Sequence, residues 1–176
     1  MAEIKSTLDL VMEKTKGMLL SEEEKRKIKL SERVEKIRGL VDGYLQGKWS
    51  KEKLKKEIEA LSTGFEKEVY REVWQSLLDR FDFGEEGRKC LEALALFTNE
   101  EEYLNKLDSL WSEYQETYNQ WLAERRLQLT SELARLGISG SAILPLPPND
   151  LGWSDKKQEF NRRLTEIREA WKSAAK

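Results

Sequence analysis

Apolar residues recur every three or four positions along most of this chain, which is the spacing of one face of an α-helix. In residues 22–46 this stripe consists of Leu30, Val34, Ile37, Val41 and Tyr44. Ser21, which is followed by three glutamates, is of the residue type that caps a helix N-terminus, and Gly47 is of the type that ends one. The pattern therefore predicts a helix over 22–46.

Two more helical stretches follow. After a capping Ser50, the apolar stripe continues straight through Gly64, so residues 51–81 are expected to form either one kinked helix or two helices that nearly meet. A break after Phe81 separates this stretch from the next predicted helix, over 86–97. The apolar residues of that helix are Cys90, Leu91, Leu94 and Phe97.

The longest stripe lies in residues 100–136, which begin with glutamates that favour a helix N-terminus. Its first half is aromatic, and leucines continue it one position out of phase, as the stripe of a straight helix drifts. Such a helix measures on the order of 55 Å. It needs a long neighbour to cover it, and we expect it to pack antiparallel against residues 22–46 and 51–81.

Residues 137–153 interrupt the helical pattern and contain all three prolines of the chain. Proline forbids a continuous helix, yet this segment is too rich in large apolar residues to be an ordinary solvated loop. We therefore expect an apolar strap that packs along the helical body of its own chain. Two alternatives remain: exchange of the strap between protomers, or a docking motif for another protein that uses Pro145 and Pro148.

The predicted fold class is all-α, because no segment alternates apolar and polar residues with a period of two. We expect an elongated helical bundle or coiled-coil-like hairpin, with the proline-rich apolar strap and a C-terminal helix over 154–176. The helical body would occupy 1–136, begin with a short helix at 6–16, and form one domain with the rest of the chain. Charged residues make up 36% of the sequence, which suits long helices with narrow apolar stripes.

The candidate functional residues are aromatic and apolar side chains of the long helix and the strap. Tryptophan and tyrosine often anchor protein interfaces, but their helical spacing here favours packing in a core or seam. The candidate partner-binding residues are Trp111, Tyr114, Tyr118, Trp121, Ile138, Ile143, Leu144, Pro145, Leu146, Pro148 and Trp153. The expected partner is a second copy of the chain, as a homodimer, or another protein.

Histidine is absent from the chain, which removes Ser-His-Asp and Cys-His catalysis and histidine-based zinc or di-iron sites. The single cysteine, Cys90, lies in an apolar helical stretch and is expected to be a buried packing residue. We therefore expect no catalytic residue, no cofactor and no metal site. Asp82, Glu85 and Glu86 lie in a break between helices and are the best placed residues for a cation, but their spacing matches no calcium loop.

These observations favour a non-enzymatic protein–protein interaction or scaffold protein. The alternative is an RNA- or nucleotide-associated regulatory protein, because basic residues share one stripe of the helix over 22–46. These residues are Lys25, Lys29, Arg33 and Lys36. Basic doublets also occur, as Arg125 and Arg126, Lys156 and Lys157, and Arg162 and Arg163. A carboxylate-based metal-dependent enzyme ranks third. The net charge of −2 provides no general attraction for nucleic acid, so we do not expect one as the main partner.

The opening MAEIKSTLDLVMEKTKG and the later segment LARLGISGSA resemble bacterial proteins that are grouped as an uncharacterised all-helical family. The resemblance implies a bacterial cytoplasmic protein and carries over no site residues. A cytoplasmic location without a membrane partner is also expected from the residues themselves. The N-terminus lacks a signal-peptide pattern, and no run of about 18 apolar residues occurs.

Overall fold

A computed structural model describes residues 21–138 and 152–174 of the chain. Helices, turns and short connections account for these residues, which include no strand, and the all-α fold class is confirmed. The helices of the described part are α1 (Glu22–Leu45), α2 (Lys51–Ser62), α3 (Glu66–Arg80), α4 (Glu85–Phe97), α5 (Glu101–Arg135) and α6 (Ser154–Ala174). The predicted helix at 6–16 lies outside the described residues.

Local capping explains where the first two helices begin. The Ser21 hydroxyl accepts a hydrogen bond from the Glu24 backbone N–H at 3.1 Å, and the Glu24 carboxylate accepts one from the Ser21 N–H at 2.7 Å. This reciprocal arrangement is a capping box, and it satisfies two backbone donors that the helix itself cannot. Ser50 caps α2 in a simpler way, because its hydroxyl accepts a hydrogen bond from the Lys53 N–H at 3.3 Å.

The apolar stripe over 51–81 belongs to two helices that nearly meet. Gly64 separates α2 from α3 with a φ of 76°, a conformation that glycine adopts without strain. The Arg33 guanidinium of α1 donates hydrogen bonds to the carbonyls of Leu61 and Thr63, both at 2.8 Å, and lies over the Phe65 ring. Arg33 therefore satisfies carbonyls that the end of α2 leaves unpaired.

Helices α1 to α4 form the centre of the hydrophobic core. Their fully buried side chains come from the predicted stripes and include Ile37, Val41, Leu54, Ile58, Val69, Val73, Leu77, Cys90 and Leu94. Helix α3 packs against α1, α2 and α4, so it lies between the other three. The spacing of apolar residues thus identified the faces that these helices bury.

The expected neighbours of the long helix are wrong. Helix α5 packs mainly against α4 and α6, and not against residues 22–46 and 51–81. The reason is that α4 is apolar enough to lie between the first three helices and α5, since Leu91, Ala93 and Leu94 are all buried. A connection of only three residues, 98–100, then makes α5 the immediate neighbour of α4.

Helix α6 runs antiparallel to the first half of α5. The ring centroids of Trp153 and Trp121 are 5.6 Å apart, and those of Phe160 and Tyr114 are 5.1 Å apart. Trp171, near the end of α6, stacks at 5.3 Å on Tyr103, near the start of α5. As the residue number increases along α6, the residue number of its contact on α5 decreases. Consequently α6 begins beside Trp121, and the last part of α5 extends beyond it.

Gly137 ends α5, as the sequence predicts for a glycine after a helical stripe. Its φ is 76°, its N–H donates to the Ala134 carbonyl at 3.0 Å, and the Ile138 N–H donates to the Leu133 carbonyl at 2.9 Å. These two bonds form a Schellman motif, which satisfies carbonyls at a helix end. The long helix therefore stops at a defined point.

Gly87, at the start of α4, is packed directly against a backbone carbonyl. The Asp82 carboxylate accepts hydrogen bonds from the Gly84 and Gly87 N–H groups at 2.9 and 3.0 Å, which draws the preceding turn onto the helix. A Cβ added at Gly87 would lie 1.8 Å from the carbonyl oxygen of Asp82. Only glycine fits this contact without movement of the turn.

Replacing Gly87 with alanine is therefore expected to lower the free energy of unfolding by about 1–3 kcal/mol, although alanine favours a helix interior. Gly39 of α1 is the matched control, because a Cβ there would meet nothing within 4 Å. G39A should raise the free energy of unfolding by about 0.5–1 kcal/mol. Urea denaturation of both variants measures the difference, and equal effects of the two substitutions would contradict the close contact.

Candidate partner-binding surface

Four of the candidate residues, Tyr114, Tyr118, Trp121 and Trp153, meet in one aromatic cluster. Phe83 and Phe160 complete it, and we use the name aromatic cluster for these six side chains. Tyr114 stacks on Phe83 with ring centroids 4.3 Å apart. The Trp153 indole N–H donates a hydrogen bond to the Tyr114 hydroxyl at 3.3 Å, and its ring lies 5.0 Å from that of Tyr118.

The aromatic cluster attaches α6 to α5. Trp153 is only 4% exposed and Phe160 is buried, so the aromatic row of α5 is covered by its own chain. Beside it, the Arg163 guanidinium donates two hydrogen bonds to the Glu113 carboxylate, at 2.7 and 2.6 Å, which lower the pKa of Glu113. This placement supports packing within the chain and not a role as partner anchors.

Trp111 lies on the wall of a surface cleft of about 630 Å³. The cleft is lined by the turn before α4, by α5 and by α6, with the side chains Asp82, Phe83, Glu85, Trp111, Tyr114, Gln115, Tyr118, Lys157 and Asn161. The Trp111 indole donates a hydrogen bond to the Gly84 carbonyl at 3.2 Å, and Gln115 donates one to the Phe83 carbonyl. The cleft therefore combines apolar walls with polar groups that already hold the turn in place.

The last part of α5 extends beyond the core, and we call residues 122–138 the projecting segment. Its half-buried leucines continue the apolar stripe but, unlike Trp121, do not pack against the buried core. These leucines are Leu122, Leu129 and Leu133. Leu127 and Leu136 are 73% and 74% exposed, and Ile138 is 47% exposed. An apolar stripe of about 20 Å thus continues beyond the point where α6 begins.

Several candidate residues cannot be placed. Ile143, Leu144, Pro145, Leu146 and Pro148 lie outside the described residues, so the packing of the strap stays a prediction.

The two ends of the strap that are described do lie at opposite ends of the projecting segment. Ile138 follows the end of α5, whereas a Cβ added at Gly152 would lie 3.8 Å from the indole nitrogen of Trp121.

The one cysteine and the best placed acid among the described residues are engaged by packing or by hydrogen bonds. Burial raises the pKa of the Cys90 thiol to about 12, so the thiol is protonated at neutral pH. Among residues 21–138 and 152–174 no cluster of three or more His, Cys, Asp or Glu side chains could hold a metal ion. Asp82, the best placed acid, uses one carboxylate oxygen to bind the backbone of Gly84 and Gly87.

Two of the four residues of the basic stripe are engaged within the fold. Arg33, one of the four residues of the basic stripe, binds carbonyls at the end of α2, and Lys25 pairs with Glu22 at 2.7 Å. Lys172 of α6 pairs with Asp79 of α3 at 2.7 Å. Nothing in this arrangement favours the RNA-binding hypothesis over a structural role for these charges.

A scan against protein-family models finds no match, and searches of curated proteins and of solved structures find no similar protein either. The resemblance of two segments to an uncharacterised bacterial family therefore stays an expectation. None of the helices in the described ranges is both long and apolar enough to cross a membrane.

Proposed function

We propose that this protein acts without catalysis, as a protein–protein interaction or scaffold protein, and that it pairs with a second copy of itself through the projecting segment. The observation that carries this proposal is the apolar stripe of α5 beyond the core. Its leucines do not contribute to the buried core that holds the chain together. The free energy falls when a partner covers apolar surface of this kind.

A second copy fits the projecting segment because the segment is complementary to itself. In an antiparallel pair centred on Leu129, Leu122 lies opposite Leu136 of the second copy. The twofold axis repeats this contact on the other side of Leu129. Such an interface is isologous, the type found in most homodimers.

The chemistry of the described residues supports a role without catalysis. The one thiol is buried and protonated at neutral pH, and carboxylates such as Asp82 and Glu113 are engaged by backbone N–H groups or by arginine. The cleft beside Trp111 is bordered by four aromatic side chains, and aromatic side chains are typical of surfaces that recognise a partner by contact.

The strap, which we expect to pack along its own chain, would compete with a second copy for the same stripe. Thirteen residues, 139–151, connect the two ends of the projecting segment. Their fully extended length of roughly 45 Å exceeds the distance of about 20–25 Å along the helix, so they are long enough to cover the stripe. The experiment must therefore distinguish a stripe that binds a second copy from one that binds the strap.

Leu129→Asp tests the proposal, with Leu127→Asp as its matched control. Leu129 lies in the stripe, and Leu127 lies two positions away on an exposed face of the same helix. We expect the unmodified chain and L127D to dimerise, whereas L129D should weaken dimerisation about tenfold or more because it places a carboxylate in the apolar interface. Sedimentation velocity measures association, and far-UV circular dichroism should show both variants fully helical, because neither leucine belongs to the core.

Two results would overturn the pairing. One is equal dimerisation of L129D and the unmodified chain. The other is an unmodified chain that stays monomeric while L129D alone is destabilised, since the strap would then be the group that covers the stripe.

A further inference from the structure

A second cavity lies at the other end of α5, and the functions considered above do not use it. It has a volume of about 490 Å³, within the range of small-molecule sites. Its walls are the aromatic side chains of Tyr70, Trp74, Phe97 and Trp171, which come from α3, α4 and α6. Trp74 and Trp171 are 7% and 1% exposed, so their rings are fixed by packing before any ligand arrives.

Two cations flank this aromatic cavity. Lys67 and Arg71 are one helical turn apart on α3, so their side chains lie on the same face. Both are exposed, and neither forms an ion pair within 4.0 Å with another described residue. By contrast, Glu72 of the same helix is paired with Arg38 at 2.8 Å. The cations of the cavity are therefore available to a ligand.

Glu100 is the only carboxylate among the residues that line the cavity, so cations outnumber acids there. We propose that this cavity binds a small planar anion, namely an aromatic ring system that carries a carboxylate, sulfonate or phosphate group. The ring would lie against the aromatic walls, and the anionic group would pair with Lys67 and Arg71. Arginine provides charge-assisted hydrogen bonds to such groups, and aromatic walls favour a flat apolar partner.

This site is independent of the pairing through the projecting segment. Glu100 precedes α5, and Leu122 lies 22 residues further on, a distance on the order of 33 Å along the helix. The dimer can therefore fail without loss of the cavity, and the cavity can fail without loss of the dimer.

Calorimetric titration of the full chain with naphthalene-2-sulfonate tests the proposal. Naphthalene-2-methanol supplies the ring system without the charge, and inorganic sulfate supplies an anion without the rings. We expect saturable binding of the sulfonate at one site per chain, and binding of each comparison compound that is about tenfold weaker or more.

Charge variants locate the site. The double variant K67Q/R71Q should weaken sulfonate binding about tenfold or more, and both residues are exposed, so the fold should persist. The double variant K48Q/K56Q removes the same charge from exposed positions elsewhere and should bind as the unmodified chain does. E100Q should tighten binding, because it removes the carboxylate that repels the anion.

Three results would overturn the proposal. These are the absence of saturable sulfonate binding, equal binding of the uncharged ring compound or of sulfate alone, and unchanged binding by K67Q/R71Q. Circular dichroism of each variant confirms that a loss of binding reflects the lost charges and not unfolding.

Discussion

Replacing Trp171 with alanine is expected to lower the free energy of unfolding by about 3–5 kcal/mol, the usual cost of removing a large buried aromatic side chain. Trp171 is 1% exposed. Its ring meets Trp74 of α3 edge-on at 5.5 Å and stacks on Tyr103 of α5 at 5.3 Å. Trp171 thus joins its own helix, α6, to both α3 and α5.

Urea denaturation followed by far-UV circular dichroism measures this effect. The control is Trp111→Ala, which removes a side chain of the same size from a half-buried position on the wall of the larger cleft. We expect W111A to cost clearly less than W171A. If the two substitutions cost the same, α6 does not dock through Trp171 as described.

Replacing Trp153 with alanine should cost about 3 kcal/mol and should leave the state of association unchanged. The ring of Trp153 lies within 5.6 Å of Tyr114, Tyr118 and Trp121, and its indole N–H binds the Tyr114 hydroxyl. All these contacts are within one chain, so their loss affects folding first.

The same variant separates the two interpretations of the aromatic row. If Trp153 anchored a partner, its removal would weaken association and would change the stability of the isolated chain little. Urea denaturation and sedimentation velocity of W153A therefore decide between them. A stable W153A chain that no longer associates would contradict the packing role of the aromatic cluster.

Helix positions could be predicted because their causes are local. The capping box at Ser21 and the positive φ of Gly64 and Gly137 depend on residues within one turn of each feature. The packing partners of α5 could not be predicted in the same way. An apolar stripe indicates which face a helix buries but not which helix covers it, and here α4 lies between α5 and the first three helices.

The candidate site was predictable only in part, for a related reason. The spacing of Tyr114 and Tyr118 showed an apolar row, but the residue that covers it, Trp153, is 39 positions after Tyr114. The cavity beside Lys67 and Arg71 gave no sequence signal at all. Those two residues resemble any solvated helical face, and two of the aromatic walls, Phe97 and Trp171, come from other helices.

The central claim is that the chain pairs with a second copy through the projecting end of α5. The most direct test is the molar mass of the unmodified chain by light scattering over a roughly hundredfold range of concentration. The account predicts a mass of twice 20.6 kDa, with dissociation at most at the lowest concentrations. A mass of 20.6 kDa at every concentration would contradict it.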